Sequence, residues 1–117
     1  MKKIEAIVRP ERVQPVVEAL EAIGILGLNV TQVTGRGRQK GVTVHTGRGV
    51  ETTQVNMLPK ARVEVVVADA DVDKVIAAVI RAARTNSKGA VGDGKIFVSP
   101  VNDAVRVSTG ERGDSAI

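Results

Sequence analysis

The hydrophobic period of this chain changes once, and cleanly, between residues 61 and 83. Ala61, Val63, Val65 and Val67 recur at every second position, with Arg62, Glu64 and Val66 between them. Successive side chains of a strand point to opposite faces, so this run predicts a strand with one apolar face. Asp69, Asp71 and Asp73 come next, where negative charge suits the start of a helix. Val72, Val75, Ile76, Val79, Ile80 and Ala83 then follow at helical spacing, and Arg81 and Arg84 sit near the C-terminal end. An apolar strand face that hands over to an apolar helix stripe must bury the two against each other.

The first part of the chain repeats the pattern. Lys2 to Val8 alternates, with Ile4, Ala6 and Val8 on one face. Pro10 opens a helix as a first-turn proline, Val13, Val16, Val17, Leu20 and Ile23 form its stripe, and Gly24 ends it. Leu28 to Thr34 is rich in β-branched residues and predicts a second strand, Lys95 to Ser99 a fourth, and Ala104 to Ser108 a short fifth extended piece. The order is βαβ twice. It predicts one α+β domain over residues 1–117: a ferredoxin-like βαββαβ sandwich with a long loop between strands 2 and 3. The halves match in topology, not in sequence. Right-handed crossovers place both helices on one sheet face. Ile7, Val33 and Val66 then point to the other face, which a monomer leaves uncovered. The core is Val, Ala and Ile with Phe97 as the single aromatic residue, so it buries little area per residue. Both features predict an oligomer.

Composition removes several function classes. There is no cysteine, which excludes disulfides, a thiol nucleophile and a thiolate metal site. Seventeen basic and 13 acidic residues leave a formal charge of +4, an excess that suits an anionic ligand as well as nucleic acid. No apolar run approaches the roughly 18 residues of a membrane span. The start Met1-Lys2-Lys3-Ile4-Glu5 lacks the apolar region of a signal peptide, so a cytoplasmic location is expected.

The chemistry is expected between the regular elements. Gly35 to Lys60 is too polar and glycine-rich to be core, and a connection of this length is usually functional or disordered. Its first part, Gly35-Arg36-Gly37-Arg38-Gln39-Lys40-Gly41, reads either as a solvated flexible loop or as an anion cradle of backbone N–H groups and cations. Thr85 to Gly94 is a second glycine-containing loop. Read from Gly89 it has the spacing G-x-x-x-x-G-K, but Ile96 stands where a P-loop needs Ser or Thr, and a strand follows where a helix should. It is therefore no Walker site. Gly92-Asp93-Gly94-Lys95 remains either a phosphate-holding turn or a plain connection. Arg106, between Val105 and Val107, faces solvent or a cleft.

Catalysis finds little support. His45, the one histidine, has no evident orienting carboxylate, and no acid pair or nucleophile–base set emerges from spacing. RNA-binding domains of this topology stack bases on aromatic residues in the middle strands. Here those strands offer Val and Ala, which argues against nucleic acid.

With its loops and strands laid out, the chain resembles the PII nitrogen-regulatory signal-transduction proteins, as a divergent member. The resemblance rests on Met1-Lys2-Lys3-Ile4-Glu5-Ala6-Ile7-Val8-Arg9-Pro10, Gly35-x-Gly37-Arg38-Gln39-Lys40-Gly41, Leu58-Pro59-Lys60, Gly92-Asp93-Gly94-Lys95-Ile96-Phe97-Val98 and Thr109-Gly110-Glu111-Arg112. It implies a homotrimer with inward-facing sheets, a T-loop at about 37–58, a B-loop at about 85–95 and a C-terminal tail at about 104–117. It implies ATP and ADP competing for clefts between subunits, and 2-oxoglutarate bound beside Mg-ATP. By resemblance, Gly37, Arg38, Gly92, Asp93, Gly94, Lys95 and Arg106 would hold phosphates, and Asn29, Glu64 and Val66 would lie near the nucleoside. Gln39, Lys60 and the backbone of Lys40 and Gly41 would meet 2-oxoglutarate, with Gln39 on the Mg2+. The T-loop would dock onto a metabolic enzyme or a membrane transporter, such as an ammonium transporter. The family is regulatory and not enzymatic. An adenylate sensor serving another transporter, for example for bicarbonate, and a weak ATPase are the alternatives.

The chain departs from the family pattern in four places. Ser108 replaces a second basic residue two positions beyond Arg106. The T-loop is longer. It carries Thr52 and Thr53 roughly where a modifiable tyrosine would stand, and the chain has no tyrosine at all. The loop before Gly92 is extended by Asn86 to Val91.

Overall fold

The computed structural model describes residues 1–37 and 57–117 in full and, between them, the backbone of residues 42–45 and 52–55. Six strands and two helices follow one another as β1 (Lys2–Val8), α1 (Val13–Ala22), β2 (Asn29–Gly35), β3 (Val42–His45), β4 (Thr52–Val55), β5 (Leu58–Val67), α2 (Val72–Ala83) and β6 (Gly94–Pro100). Short 3-10 turns at Pro10–Arg12, Asp69–Asp71 and Gly113–Ala116 complete the described chain. The main sheet is antiparallel in the order β2-β5-β1-β6. That is the ferredoxin-like arrangement expected from the two βαβ patterns.

The core lies where the two periodicities meet. Ile4, Ala6 and Val8 of β1 and Ala61, Val63, Val65 and Val67 of β5 pack under Val16 and Leu20 of α1 and Val75 and Val79 of α2. Both helices therefore cover one sheet face. The alternation predicted for β5 matches its burial residue for residue. Within α2 the stripe is shifted from the expected one: Ala78 is buried, whereas Ile80 is 38% exposed. Ile80 lines a cleft together with residues of β6, which is an edge of the main sheet, so no further strand of that sheet lies beyond it.

Local chemistry explains three further differences. Pro10 starts a 3-10 turn, and the α-helix begins only at Val13. Pro15 is tolerated as the third residue of α1, because the first N–H groups of a helix have no intrahelical partner. The long connection is not loop throughout: β3 and β4 pair as a hairpin from Val42↔Val55 to His45↔Thr52. These strands are rich in Val and Thr, residues that favour a pleated backbone. β5 also starts earlier than expected, at Leu58. It outruns β1 there, since Val8 pairs with Ala61, and this leaves room for Pro59, which cannot serve a ladder on both sides.

The expected fifth extended piece at Ala104–Ser108 is not a strand. A single bridge, Val105↔Arg112, is followed by a tight reversal in which Gly110 N–H donates to Arg106 O at 2.7 Å and Arg106 N–H to Glu111 O at 2.8 Å. Gly110 has φ +75°, a conformation that costs glycine nothing.

On the other sheet face Ile7, Val33 and Val66 are half-buried. A charged row runs among them: Lys3 Nζ lies 3.2 Å from Glu5 and 3.7 Å from Glu64, and Arg62 Nε lies 3.9 Å from Glu64. That last separation is too long for a hydrogen bond, and Arg62 Nε is buried without a partner among the described residues. Among the described residues no helix is long and apolar enough to cross a membrane.

Candidate functional site

Four strand ends converge at one end of the sheet. β1 and β2 finish there, at Val8 and Gly35, and β5 and β6 start there, at Leu58 and Gly94. A cleft of about 990 Å3 occupies this corner. It is lined by residues 35–37, by Lys60, by residues 88–95 and by the ends of β1, with Ile76 and Ile80 of α2 as an apolar flank. The start of the first glycine stretch, residues 35–37, and the glycine turn before β6 thus open onto one space. So do five cations, Arg36, Lys60, Arg84, Lys88 and Lys95, against a single carboxylate, Asp93, among the described residues.

The turn before β6 is built by backbone constraint. Gly94 has φ +121°, and a Cβ placed on it would lie 1.7 Å from the carbonyl oxygen of Ile7. Gly94 pairs with Val8 across the ladder, so only a residue without a side chain lets β6 approach β1 here. Gly92 has φ +98°. These two glycines let the chain pass from α2 into β6 while keeping its backbone exposed to the cleft.

Side chains then pin the turn. Lys60 Nζ donates to Gly92 O at 2.7 Å, tying the start of β5 to the turn. Burial, and after it the neighbouring Arg9 charge, hold the Lys60 ammonium below its ordinary pKa, with Glu11 and Asp93 opposing them. Arg9 Nε donates to Asp93 Oδ1 at 3.2 Å, and Arg9 Nη2 to Val91 O at 3.0 Å. The other oxygen of Asp93 accepts from Ala90 N–H at 2.8 Å and Thr85 N–H at 3.3 Å. Burial pushes the Asp93 carboxyl up, but the bonds from Ala90, Arg9 and Thr85 outweigh it, and the net shift is below the usual carboxylate range.

The predicted site residues divide into three groups. Gly37, Lys60, Gly92, Asp93, Gly94 and Lys95 all line the cleft. Asn29, Glu64, Val66 and Arg106 do not. Asn29 and Glu64 are cross-strand partners on the open sheet face, and Val66 lies two residues further along that face. Arg106 sits in the tail, with Nη2 donating to Ser115 O at 3.3 Å and Nε 3.7 Å from Glu111. Arg38, Gln39, Lys40 and Gly41 lie outside the described residues, as does the side chain of His45.

Sequence reasoning missed Arg9 and Arg12. Arg9 acts 84 residues away, on Asp93. Arg12 donates twice to Ala82 O, at 3.0 and 2.7 Å, satisfying a carbonyl in the last turn of α2. Arg9-Pro10 entered only as part of a family opening, and no local periodicity marks either arginine.

A smaller hollow of about 600 Å3 on the flank of α2 is lined by Ala77, Ile80, Arg81, Arg84, Asn86 and Ser87. It contains no glycine turn and shares Arg84 with the larger cleft, where the other cations gather.

The family model described as nitrogen regulatory protein P-II matches residues 1–111. The chain is 48% identical to nitrogen regulatory protein P-II 2 of Methanothermobacter thermautotrophicus over 117 residues, covering 97% of that protein. It is 50% identical to nitrogen regulatory protein P-II of Azospirillum brasilense over the full length of both. Among solved structures, that of Arabidopsis thaliana PII bound to citrate superposes with a TM-score of 0.78 at 44% identity, over 99% of this chain and 91% of that one. The chain belongs to the nitrogen regulatory protein P-II family of signal-transduction regulators.

Proposed function

We propose that this protein is a homotrimeric sensor of adenine nucleotides that reports its ligand state to a partner protein through the segment between β2 and β5. The observation that carries this reading is the cleft itself. Residues 35–37, the glycine turn before β6, Lys60 and Lys95 meet there, and the one carboxylate among the described residues is already engaged by Arg9. A di- or triphosphate asks for such a combination of cations and backbone donors. Asn29, Glu64, Val66 and Arg106 complete the site from the neighbouring subunit. Within one chain Glu64 lies four residues from Lys60 along β5, roughly 13 Å at strand spacing. A trimer also covers Ile7, Val33 and Val66 and gives the buried Arg62 Nε somewhere to find an acceptor.

The finer reading adds 2-oxoglutarate beside Mg-ATP, held by Lys60, Gln39 and the backbone of Lys40 and Gly41, with Gln39 also on the metal. Lys60 supports it, as an ammonium already lining the cleft and bonded, among the described residues, to a carbonyl. The citrate on the Arabidopsis relative is likewise a carboxylate ligand. No three His, Asp or Glu side chains gather into a metal site among the described residues. That fits a Mg2+ carried in on phosphates, as Mg2+ commonly is. The protein turns nothing over, and its partner is an enzyme or a membrane transporter docked on the T-loop.

Calorimetry with ATP, ADP, AMP and cyclic AMP tests the reading. ATP is expected to bind, and Lys95→Ala to lose about 1.5–3 kcal/mol, the usual scale for a charge-assisted hydrogen bond. If no adenine nucleotide binds, the proposal fails. Adding 2-oxoglutarate to ATP is expected to strengthen both by the same factor, as linkage requires, and to change proteolytic nicking between Thr43 and Val55. Equal nicking with ATP, with ADP and with ATP plus 2-oxoglutarate would leave the adenylate-only sensor.

A further inference from the structure

Asp93 stands in the middle of the turn that faces the cleft, yet its chemistry is wrong for a phosphate contact. A carboxylate facing a polyanion repels it, and both Asp93 oxygens already have donors. Oδ1 takes Arg9 Nε, and Oδ2 takes the N–H groups of Ala90 and Thr85. Arg9 meanwhile uses a second nitrogen on Val91 O, so one guanidinium holds the turn through a side chain and a main-chain carbonyl. Both side chains are largely shielded, at 19% exposed for Arg9 and 15% for Asp93.

We infer that Arg9 and Asp93 are positioning residues: an internal ion pair that fixes the shape of the 85–94 turn and so presents its backbone and Lys95 to the ligand, without touching the ligand themselves. The inference rests on the nucleotide-binding reading and deepens it. The chain leaves α2 at Ala83, makes a glycine-rich excursion and must return in register with β1 at Gly94. Among the described residues nothing apolar anchors the excursion, because Ala90 and Val91 are exposed. Polar contacts hold its shape there, and Asp93 is where three of them converge. Arg9 follows directly on β1, so the brace refers the turn back to the same strand that Gly94 touches.

The test uses the full-length protein with Arg9→Met, Asp93→Asn, the double variant, and Lys95→Ala as the reference for a direct contact. ATP affinity is measured by calorimetry at several salt concentrations. Each single brace variant is expected to weaken ATP about tenfold, and the double variant to be no weaker than either single one. The salt dependence of both is expected to match the parent, because the number of charges on the phosphates is unchanged, whereas Lys95→Ala flattens it. Asp93→Asn that binds ATP equally or more tightly would overturn the inference, as would additive losses or a flattened salt dependence in Arg9→Met. Arg9→Lys keeps charge and fold but cannot span both acceptors. It is expected to bind ATP a few-fold more weakly and to speed amide hydrogen exchange at Thr85 and Ala90 in the ligand-free protein. Unchanged exchange at those two amides would overturn the brace even if the parent bound no nucleotide, an outcome that would separately end the nucleotide reading.

Discussion

Two arginine–aspartate pairs secure two irregular stretches of this protein, and they differ in almost every physical respect. Arg9 and Asp93 come from opposite ends of the chain and meet largely out of solvent. Arg112 and Asp103 are nine residues apart in the tail, with side chains 71% and 38% exposed. Arg112 donates to Asp103 Oδ2 through both Nε and Nη2, whereas Arg9 reaches Asp93 through Nε alone. Geometry alone does not set the worth of an ion pair. An exposed pair gains little over hydration and is screened by salt. A shielded pair that also satisfies backbone N–H and C=O groups is costly to break, because its partners are then left unpaired.

The comparison breaks most violently at Gly94, the fixed point against which the shielded pair works. Gly94→Ala is expected to destabilise the fold by roughly 3 kcal/mol or more, from a strained backbone and a side chain driven into Ile7 O. Chemical denaturation reads this directly, and a stability within error of the parent would mean that the close approach of β6 to β1 can relax.

Acid sharpens the contrast next. The Asp93 pKa lies below its ordinary value, so the pair's contribution is fully present above that ordinary value and is lost as pH falls through the depressed one. Asp103 shares the direction, through the hydrogen bond from Arg112, but at a more exposed position. Hydrogen exchange followed below pH 4 is therefore expected to show Thr85 and Ala90 losing protection while β1 and β5 keep theirs. Protection at those two amides that persists to the acid unfolding transition would show that Asp93 is not their keeper.

The smallest effect is expected in the tail. Arg112→Met should leave the melting midpoint within error of the parent. Arg9→Met is expected to lower that midpoint, and an equal drop in Arg112→Met would erase the distinction between the two pairs.

These regions also mark how far the sequence could be read. β1, β5 and the two helices were legible because periods of two and 3.6 express a sheet face and a helix stripe directly. The grouping of Gly37, Lys60 and Gly92–Lys95 came from the family resemblance and from no local pattern; in the structure all of them lie at or beside strand ends at one end of the sheet. The brace was not legible. Its partners are 84 residues apart, and a lone arginine beside a proline carries no pattern. Ala78 and Ile80 exchanged their expected burial because β6 is an edge, a fact of strand order that a helical stripe does not contain. The tail read as a strand because Val105 and Val107 alternate around Arg106. The turn hydrogen bonds around Gly110 prevailed over two alternating valines.

β5 has a further consequence. It runs ten residues without a break, from the foot of the β3–β4 hairpin to the end of the core. Every main-sheet contact of β5 with β1 and β2 joins the part of the chain before the hairpin to the part after it, and so does the pairing of β1 with β6. A cut between β3 and β4 therefore severs the polypeptide without separating any main-sheet neighbours. The two fragments are complementary halves of one interlocked object, each supplying two strands of the main sheet and one helix to a shared core. A nicked protein should elute as a single species and part only in denaturant, and the two halves should be able to find each other again as separate chains.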